Sequence, residues 1–310
     1  MLRRPRGLPR VRCYTVLMAR QRLGQHFLAD PGWREEIARS IRVSPQSLSP
    51  LPGQSTKSYC WIEIGAGHGE ITEKLVASGA PVYAIELDAP LVAKLQKLAK
   101  HHPNLTVIRG DILETDIATL AAGRRIFIYG NLPYYITSPI LRHLFNSADL
   151  IEEIHIVLQL EVAQRLAASP GTSDYGYLSV LTQYFSRPEL VLVIPASAFS
   201  PPPEVTSALV TLRLPGHRAM LRGIDEQQFL TFVKLCFSQK RKTLVNNLRP
   251  LAKPTDVQQA LGALNLRPDA RAEQLHVEEF AQLARRLMPG GTANTGMNAE
   301  EATKGKSRGV

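Results

Sequence analysis

From residue 59 onward, apolar runs and helical periods alternate along this chain. YCWIEIG (59–65) is a short apolar stretch ending in glycine, and residues 70–79 then repeat with a helical period. PVYAIELD (81–88) predicts a second strand, APLVAKLQKLAK (89–100) an amphipathic helix and LTVIRGD (105–111) a third strand. RIFIYGNLP (125–133) and EIHIVLQL (153–160) predict a fourth and a fifth strand, with a helix over SPILRHLF (138–145) between them and another over LSVLTQYF (178–185). Strands alternating with helices at this spacing build βαβ units and a parallel sheet. ELVLVIP (189–195) and SALVTLRL (207–214) follow with no helix between them, which predicts an antiparallel pair closing the sheet edge. The expected fold class is therefore α/β: a Rossmann-like, mostly parallel sheet with an antiparallel edge strand. Beyond about residue 224 the period is helical alone, with runs at 226–237, 240–249, 255–264 and 276–288, and predicts a small all-α C-terminal domain.

The two ends differ from this pattern. Residues 1–17 hold five Arg and no acid and are interrupted by Pro5 and Pro9. A targeting presequence, a basic arm for nucleic acid and an extension upstream of a start at Met18 are three readings of that segment. Residues 289–310 are rich in Gly, Ala, Thr and charge without an apolar face, and are expected to be disordered. The expected organisation is a basic extension (1–17), a catalytic domain (18–215), a helical RNA-binding domain (216–288) and a tail (289–310).

Charge sharpens this division. The 310 residues carry a formal net charge of +10. Residues 1–17 contribute +5, residues 18–199 are close to neutral with 16 basic and 17 acidic side chains, and residues 200–310 contribute +6. A polyanionic partner is expected at the ends of the chain, not in its middle. Three dispersed cysteines (Cys13, Cys60, Cys236) with no CxxC pair argue against a disulfide framework and a cysteine-based zinc site. No apolar run reaches the roughly 18 residues of a membrane span. No membrane partner is expected, and the expected location is cytoplasmic, or mitochondrial if residues 1–17 are a presequence.

Candidate chemistry begins at EIGAGHGE (63–70), where Gly65, Gly67 and Gly69 lie between a strand and a helix. Glycines there allow a tight turn and the close approach of a ligand. The spacing is GxGxG; the dinucleotide fingerprint GxGxxG would need Gly at position 70, where Glu70 stands. It resembles motif I of S-adenosylmethionine methyltransferases. A tight turn with no ligand is the competing reading. Glu86 ends the next strand, placed to accept from two ribose hydroxyls, and Asp111 ends the third, placed to accept from an adenine amino group.

IYGNLPYYITSP (128–139) is the most informative stretch. It follows the fourth strand directly and so projects beside whatever the glycine loop holds. Methylating adenine N6 requires two acceptors, because the lone pair of that amine is delocalised into the ring and must be drawn toward tetrahedral geometry. The Asn131 side-chain oxygen and the Leu132 carbonyl supply them, Pro133 stiffens the loop and Tyr134 offers a face for a flipped base. No strong base is needed, since the N6 proton becomes acidic once the methyl arrives. An ordinary Asn-Pro-type turn with a core tyrosine is the alternative for this loop taken alone.

Over about residues 20–288 the chain resembles the ribosomal RNA adenine dimethyltransferase family. RLGQHFLAD (22–30) resembles its N-terminal segment, EIGAGHGEIT its motif I, IELD its ribose-binding motif, RGDIL its adenine-side motif and GNLPYYITSP its catalytic loop. LQLEVAQRL (158–166), AFSPPPEVTSALVTL (198–212), FSQKRKTLVNNL (237–248) and RAEQLHVEEFAQL (271–283) follow in family order. The resemblance implies S-adenosylmethionine as methyl donor, held by His26, Leu28, Gly65, Gly67, Glu86, Asp111 and Asn131, with Asn131, Leu132, Pro133 and Tyr134 as the catalytic set. NLPY (rather than NIPY), PPPEV and RAEQL look like the housekeeping branch, which dimethylates two adjacent adenines in the 3′-terminal hairpin loop of small-subunit (16S) rRNA. A 23S rRNA methylase of the macrolide-resistance type and a non-catalytic rRNA-binding assembly factor are the alternatives. Many members carry Asn where His26 and Tyr135 stand.

The implied partner is small-subunit rRNA within a 30S assembly intermediate, and nothing in the sequence demands more than a monomer. Lys240, Arg241, Lys242 and Arg249, with Lys253, are expected to line a phosphate-binding face. The remaining histidines show no metal-binding spacing, and no metal is expected. Glu161 is expected at a helix start as a partner of the helix dipole.

Overall fold

The computed structural model describes residues 26–43, 59–133, 136–221, 223 and 225–288. The readings made for residues 1–17, for the 289–310 tail and for Tyr134 and Tyr135 lie outside these residues.

The chain divides into two compact units, residues 1–160 with 190–211, and residues 161–189 with 212–310. In the first, four parallel strands run side by side: β2 (Tyr59–Ile64), β3 (Val82–Glu86), β4 (Leu105–Arg109) and β5 (Arg125–Asn131). β2 is buried from Cys60 to Ile64 and β5 from Ile126 to Gly130, as expected of strands covered on both faces. β6 (Ile151–Gln159) pairs parallel with β5. The seven-stranded sheet runs β4-β3-β2-β5-β6-β9-β7, with β7 (Arg187–Ile194) and β9 (Ser207–Arg213) as the antiparallel strands of that edge. The later strand, β9, is inserted beside β6, and β7 takes the outer position.

The connecting helices fall close to where the periodicity puts them. They are α2 (Thr72–Val76), α3 (Ala89–Ala99), α4 (Ile117–Ala121) and α5 (Thr137–Phe145). Asp88 caps α3 and Asp116 caps α4, each accepting from main-chain N–H groups of the first turn. Two elements had no expectation in the sequence: helix α1 (Pro31–Ser40), capped by Asp30, and a two-stranded ladder in which β1 (Phe27–Leu28) pairs antiparallel with β8 (Phe199–Ser200).

The second unit contains α6 (Leu160–Ala167, from Glu161 onward), α7 (Tyr177–Phe185), α8 (Glu226–Cys236), α9 (Leu244–Asn247), α10 (Pro254–Gly262) and α11 (Val277–Leu287). Its core includes Tyr184 against Phe229 and Phe237 against Phe280, while the Tyr175 hydroxyl donates to the Leu275 carbonyl at 2.9 Å. The helix predicted over 240–249 is shorter: residues 239–242 form a turn, and α9 starts at Leu244 behind Thr243. Glu161 lies in the first turn of α6, paired with Arg165.

Two features carry consequences for stability. The Gly216 N–H donates to the Phe185 carbonyl at 2.9 Å, and a Cβ at 216 would collide with the Gln183 carbonyl oxygen and the Ser186 nitrogen. In the other unit Glu63 is 2% exposed and accepts from the Thr72 hydroxyl at 2.5 Å. Burial pushes its carboxyl from an ordinary 4.5 up to about 8; the Thr72 bond opposes that rise, and the charges of Glu70 and Glu86 add to it.

Gly216→Ala is expected to destabilise the fold by more than about 2 kcal/mol, read from urea unfolding. For Glu63 the folded-state value is raised, so its contribution is full below about pH 4.5 and is lost as pH rises through about 8. Between pH 5 and 8 the unfolding free energy should therefore fall relative to that of Glu63→Gln, by on the order of a few kcal/mol. Parallel pH profiles for the two proteins would contradict this.

Candidate active site

Four of the expected site residues stand at the carboxyl ends of adjacent parallel strands. Gly65 follows β2, Glu86 ends β3, Asp111 follows β4 and Asn131 ends β5. The strand ends are level: Ile64 pairs with both Ile85 and Gly130, and Glu86 with Arg109. The Gly65 N–H reaches the Ile85 carbonyl at 2.9 Å, and the Gly110 N–H the Glu86 carbonyl at 3.1 Å. This is the edge at which open α/β sheets bind ligands.

The glycine turn needs its glycines. Gly65, Gly67 and Gly69 have φ of 68°, 58° and 92°, where a side chain is strained. At Gly67 a Cβ would also stand 3.2 Å from the Phe27 ring. The turn is held by Glu86, which is 6% exposed. One carboxylate oxygen accepts the Gly67 N–H at 2.9 Å, and the other accepts the Leu87 and Asp88 N–H groups at 2.8 and 3.0 Å. Three N–H bonds leave part of the carboxylate's capacity of about four acceptor sites for a ligand hydroxyl. Asp111 spends one oxygen on the Leu113 N–H at 2.9 Å, capping the short turn Ile112–Glu114, and likewise keeps acceptor capacity.

The catalytic loop candidate lies beside this turn. A Cβ on Gly65 would be 4.0 Å from the Asn131 carbonyl oxygen. Gly130 is closely packed: a Cβ there would stand 2.9 Å from the Leu132 side chain and 3.2 Å from the Ile64 carbonyl oxygen. Leu132 is 2% exposed and its N–H donates to the Val157 carbonyl at 3.0 Å, while Pro133 is exposed. The Asn131 Nδ2 donates to the His26 main-chain carbonyl at 2.9 Å. Tyr134 is outside the described residues.

His26 and Leu28 are brought to the same place, with other partners than the sequence suggested. The His26 Nδ1 lies 2.7 Å from the Pro201 carbonyl oxygen. The Leu28 side chain is in the core cluster with Ala66 and Ile71, and its carbonyl accepts from Arg34 Nε at 2.7 Å. Sequence reasoning missed Phe27, which packs on the His68 ring at 4.2 Å, and Arg34, whose Nη2 is 3.9 Å from Glu70. It also missed Leu87, which is 49% exposed directly after Glu86. An exposed large apolar side chain at a strand end was the signal available for Leu87; Arg34 left none.

The basic residues of the second unit are exposed at Lys240, Arg241, Lys242, Arg249 and Lys253. The turn that carries the first three is supported from below by buried Asn247, whose Nδ2 donates to the Cys236 and Gln239 carbonyls at 2.7 and 3.1 Å. Lys240 Nζ donates to the Ser173 carbonyl at 2.6 Å, so this lysine also has a structural bond. Among the described residues no helix is long and apolar enough to cross a membrane, and no cluster of His, Cys, Asp and Glu could hold a metal ion.

Known proteins agree with this geometry. The Ribosomal RNA small subunit methyltransferase A of Xanthomonas campestris pv. campestris (strain B100) is 40% identical over 266 residues, covering 86% of this chain and 95% of the relative. The protein of the same name from Xanthomonas oryzae pv. oryzae (strain PXO99A) matches to the same extent. Among solved structures, a dimethyladenosine transferase from Plasmodium falciparum superposes with a TM-score of 0.68 at 24% identity, over 83% of this chain and 96% of that one. The 23S rRNA methyltransferase ErmE superposes with a TM-score of 0.60 at 26% identity, over 84% and 99%. The family model for ribosomal RNA adenine dimethylase matches residues 16–288, and the chain belongs to that family.

Proposed function

We propose that this enzyme transfers methyl groups from S-adenosylmethionine to N6 of two adjacent adenines in the 3′-terminal hairpin loop of small-subunit rRNA, two to each base. One observation carries the reading: the glycine turn, Glu86, Asp111 and Asn131 stand together at the carboxyl ends of four neighbouring parallel strands. The 40% identity to proteins named small subunit methyltransferase A, against 26% to a 23S enzyme, favours the small subunit.

The residues present fit the donor. Glu86 offers a nearly buried carboxylate for ribose hydroxyls, and Asp111 an acceptor for an adenine amino group. The glycine turn lets a ligand approach the main chain, and Leu87 supplies apolar surface beside Glu86. When bound, S-adenosylmethionine supplies an electrophilic methyl on a sulfonium. Asn131 Oδ1 and the Leu132 carbonyl accept the two amino hydrogens of the target adenine and aim its nitrogen lone pair. Tyr134, next but one in sequence, is assigned the stacking face. After the first transfer a single N–H remains, so one acceptor suffices for the second. The proton lost each time comes from a cationic nitrogen and passes to solvent without a strong base.

Lys240, Arg241, Lys242 and Arg249 are assigned to phosphate contacts, with 18–215 as catalytic domain and 216–288 as RNA-binding domain. A 30S assembly intermediate as substrate, a monomeric enzyme and a cytoplasmic location complete the proposal.

Incubation with labelled S-adenosylmethionine and separate small- and large-subunit particles tests the reading; label confined to large subunits would overturn it. Asn131→Ala should lower kcat at least about a hundredfold while donor affinity stays within a few-fold. Glu86→Gln converts an acceptor into a donor facing N–H groups and should weaken donor binding by about tenfold or more in calorimetry.

A further inference from the structure

Residues 26–30 form a strap that ties the catalytic loop to chain 175 positions away. Phe27 and Leu28 pair with Ser200 and Phe199, and the Ala29 and Asp30 N–H groups both reach the Ala198 carbonyl, at 2.9 and 3.1 Å. Arg34 Nε binds the Leu28 carbonyl, while Phe27 covers Gly67 and His68. The first residue of the strap makes two bonds of opposite polarity. The His26 ring meets the Pro201 carbonyl, and the His26 carbonyl takes the Asn131 Nδ2–H.

The second bond decides which end of the amide faces the substrate. A side-chain amide has a donor end and an acceptor end of nearly the same shape. Turned over, Asn131 would present an NH2 group to the amine it must draw forward, donor against donor. The carbonyl at His26 accepts only, so it selects the orientation in which Nδ2 points to the strap and Oδ1 is left for the substrate. That carbonyl is useful only while the strap stays in place, and the His26 ring is its side-chain anchor at this point.

Resting on the reading of Asn131 given above, we infer that His26 is a positioning residue: by anchoring its ring on Pro201 it holds the main-chain carbonyl that orients the Asn131 amide. Pro201 offers a carbonyl, so Nδ1 carries the proton. In a neutral ring Nε2 is then a lone pair, the wrong polarity for the carboxylate of the methyl donor. The two roles, anchor and carboxylate donor, therefore separate in experiment.

The test measures kcat on small-subunit particles and, by calorimetry, the Kd for S-adenosylmethionine in the full chain. His26→Ala and His26→Phe, which lose the N–H donor, should lower kcat about tenfold with the Kd within about threefold, since one hydrogen bond is at stake. His26→Asn, which restores a side-chain N–H, should regain at least about threefold of that loss. Thermal unfolding of each variant identifies any that fail to fold, and His26→Phe keeps ring volume where alanine does not. An unchanged kcat in both donor-less variants overturns the inference. So does a rise in Kd of about tenfold with kcat retained, which would make the ring a direct ligand of the donor. If Asn131→Ala is inactive while the His26 variants are normal, only this inference fails; an active Asn131→Ala removes the reading beneath it.

Discussion

The Glu86 carboxylate joins two loops that diverge from neighbouring strands. On one side it binds the N–H of Gly67, and on the other those of Leu87 and Asp88. Those bonds hold the glycine turn against the end of β3, which places the turn beside Asn131 on the far side of β2. A shorter acid would lose one of the two sides. An amide would present hydrogens to at least one N–H group, leaving a nearly buried donor without an acceptor, which costs more than the bond itself is worth. The position is constrained by the protein's own main chain before any ligand is considered. The same acceptor capacity then remains for a ribose. Folding and binding thus draw on one carboxylate, and the site is largely preformed.

What the sequence made legible follows from this arrangement. Parallel strands covered on both faces write themselves as apolar runs, and the helices between them as a 3.6 period, so β2 to β6 and their crossovers were readable. The glycine spacing was readable because Gly65, Gly67 and Gly69 all take positive φ, a demand that residue type reports directly. Glu86, Asp111 and Asn131 were readable because a polar residue directly after an apolar strand is conspicuous. The antiparallel edge was expected as a pair in chain order. The insertion of β9 between β6 and β7 depends on pairing partners that a local pattern does not encode.

The strap was not legible, for two physical reasons. A two-residue strand has no period, and its partner lies far along the chain. Its contribution to Asn131 is a main-chain carbonyl, which every residue possesses. The identity of residue 26 therefore says nothing about that bond, and reading the ring alone led to the donor's carboxylate when its partner is Pro201. The helix over 240–249 failed for a related reason. Apolar spacing continued through the segment, yet residues 239–242 turn because Asn247 takes the Cys236 and Gln239 carbonyls. A side chain satisfying main-chain acceptors competes with helix continuation, and spacing carries no record of it.

The distribution of charge completes the division between chemistry and recognition. The described strand ends hold acceptors and apolar surface, which suits an uncharged base, and desolvating such a base costs far less than desolvating a phosphate. In the second unit many basic side chains are neutralised at close range: Arg165 by Glu161, Arg213 by Glu189, Arg218 by Glu226 and Arg267 by Asp269. Arg241, Lys242, Arg249 and Lys253 make no ion pair among the described residues, and all four are exposed. Pairing removes most of a surface cation's long-range attraction, so these four count for more toward a polyanion than the formal charge of the unit suggests. Their attraction is non-specific and screened by salt. Selection of the base then falls to Asn131 and its loop, where donor and acceptor geometry, not charge, separates an exocyclic amine from a carbonyl.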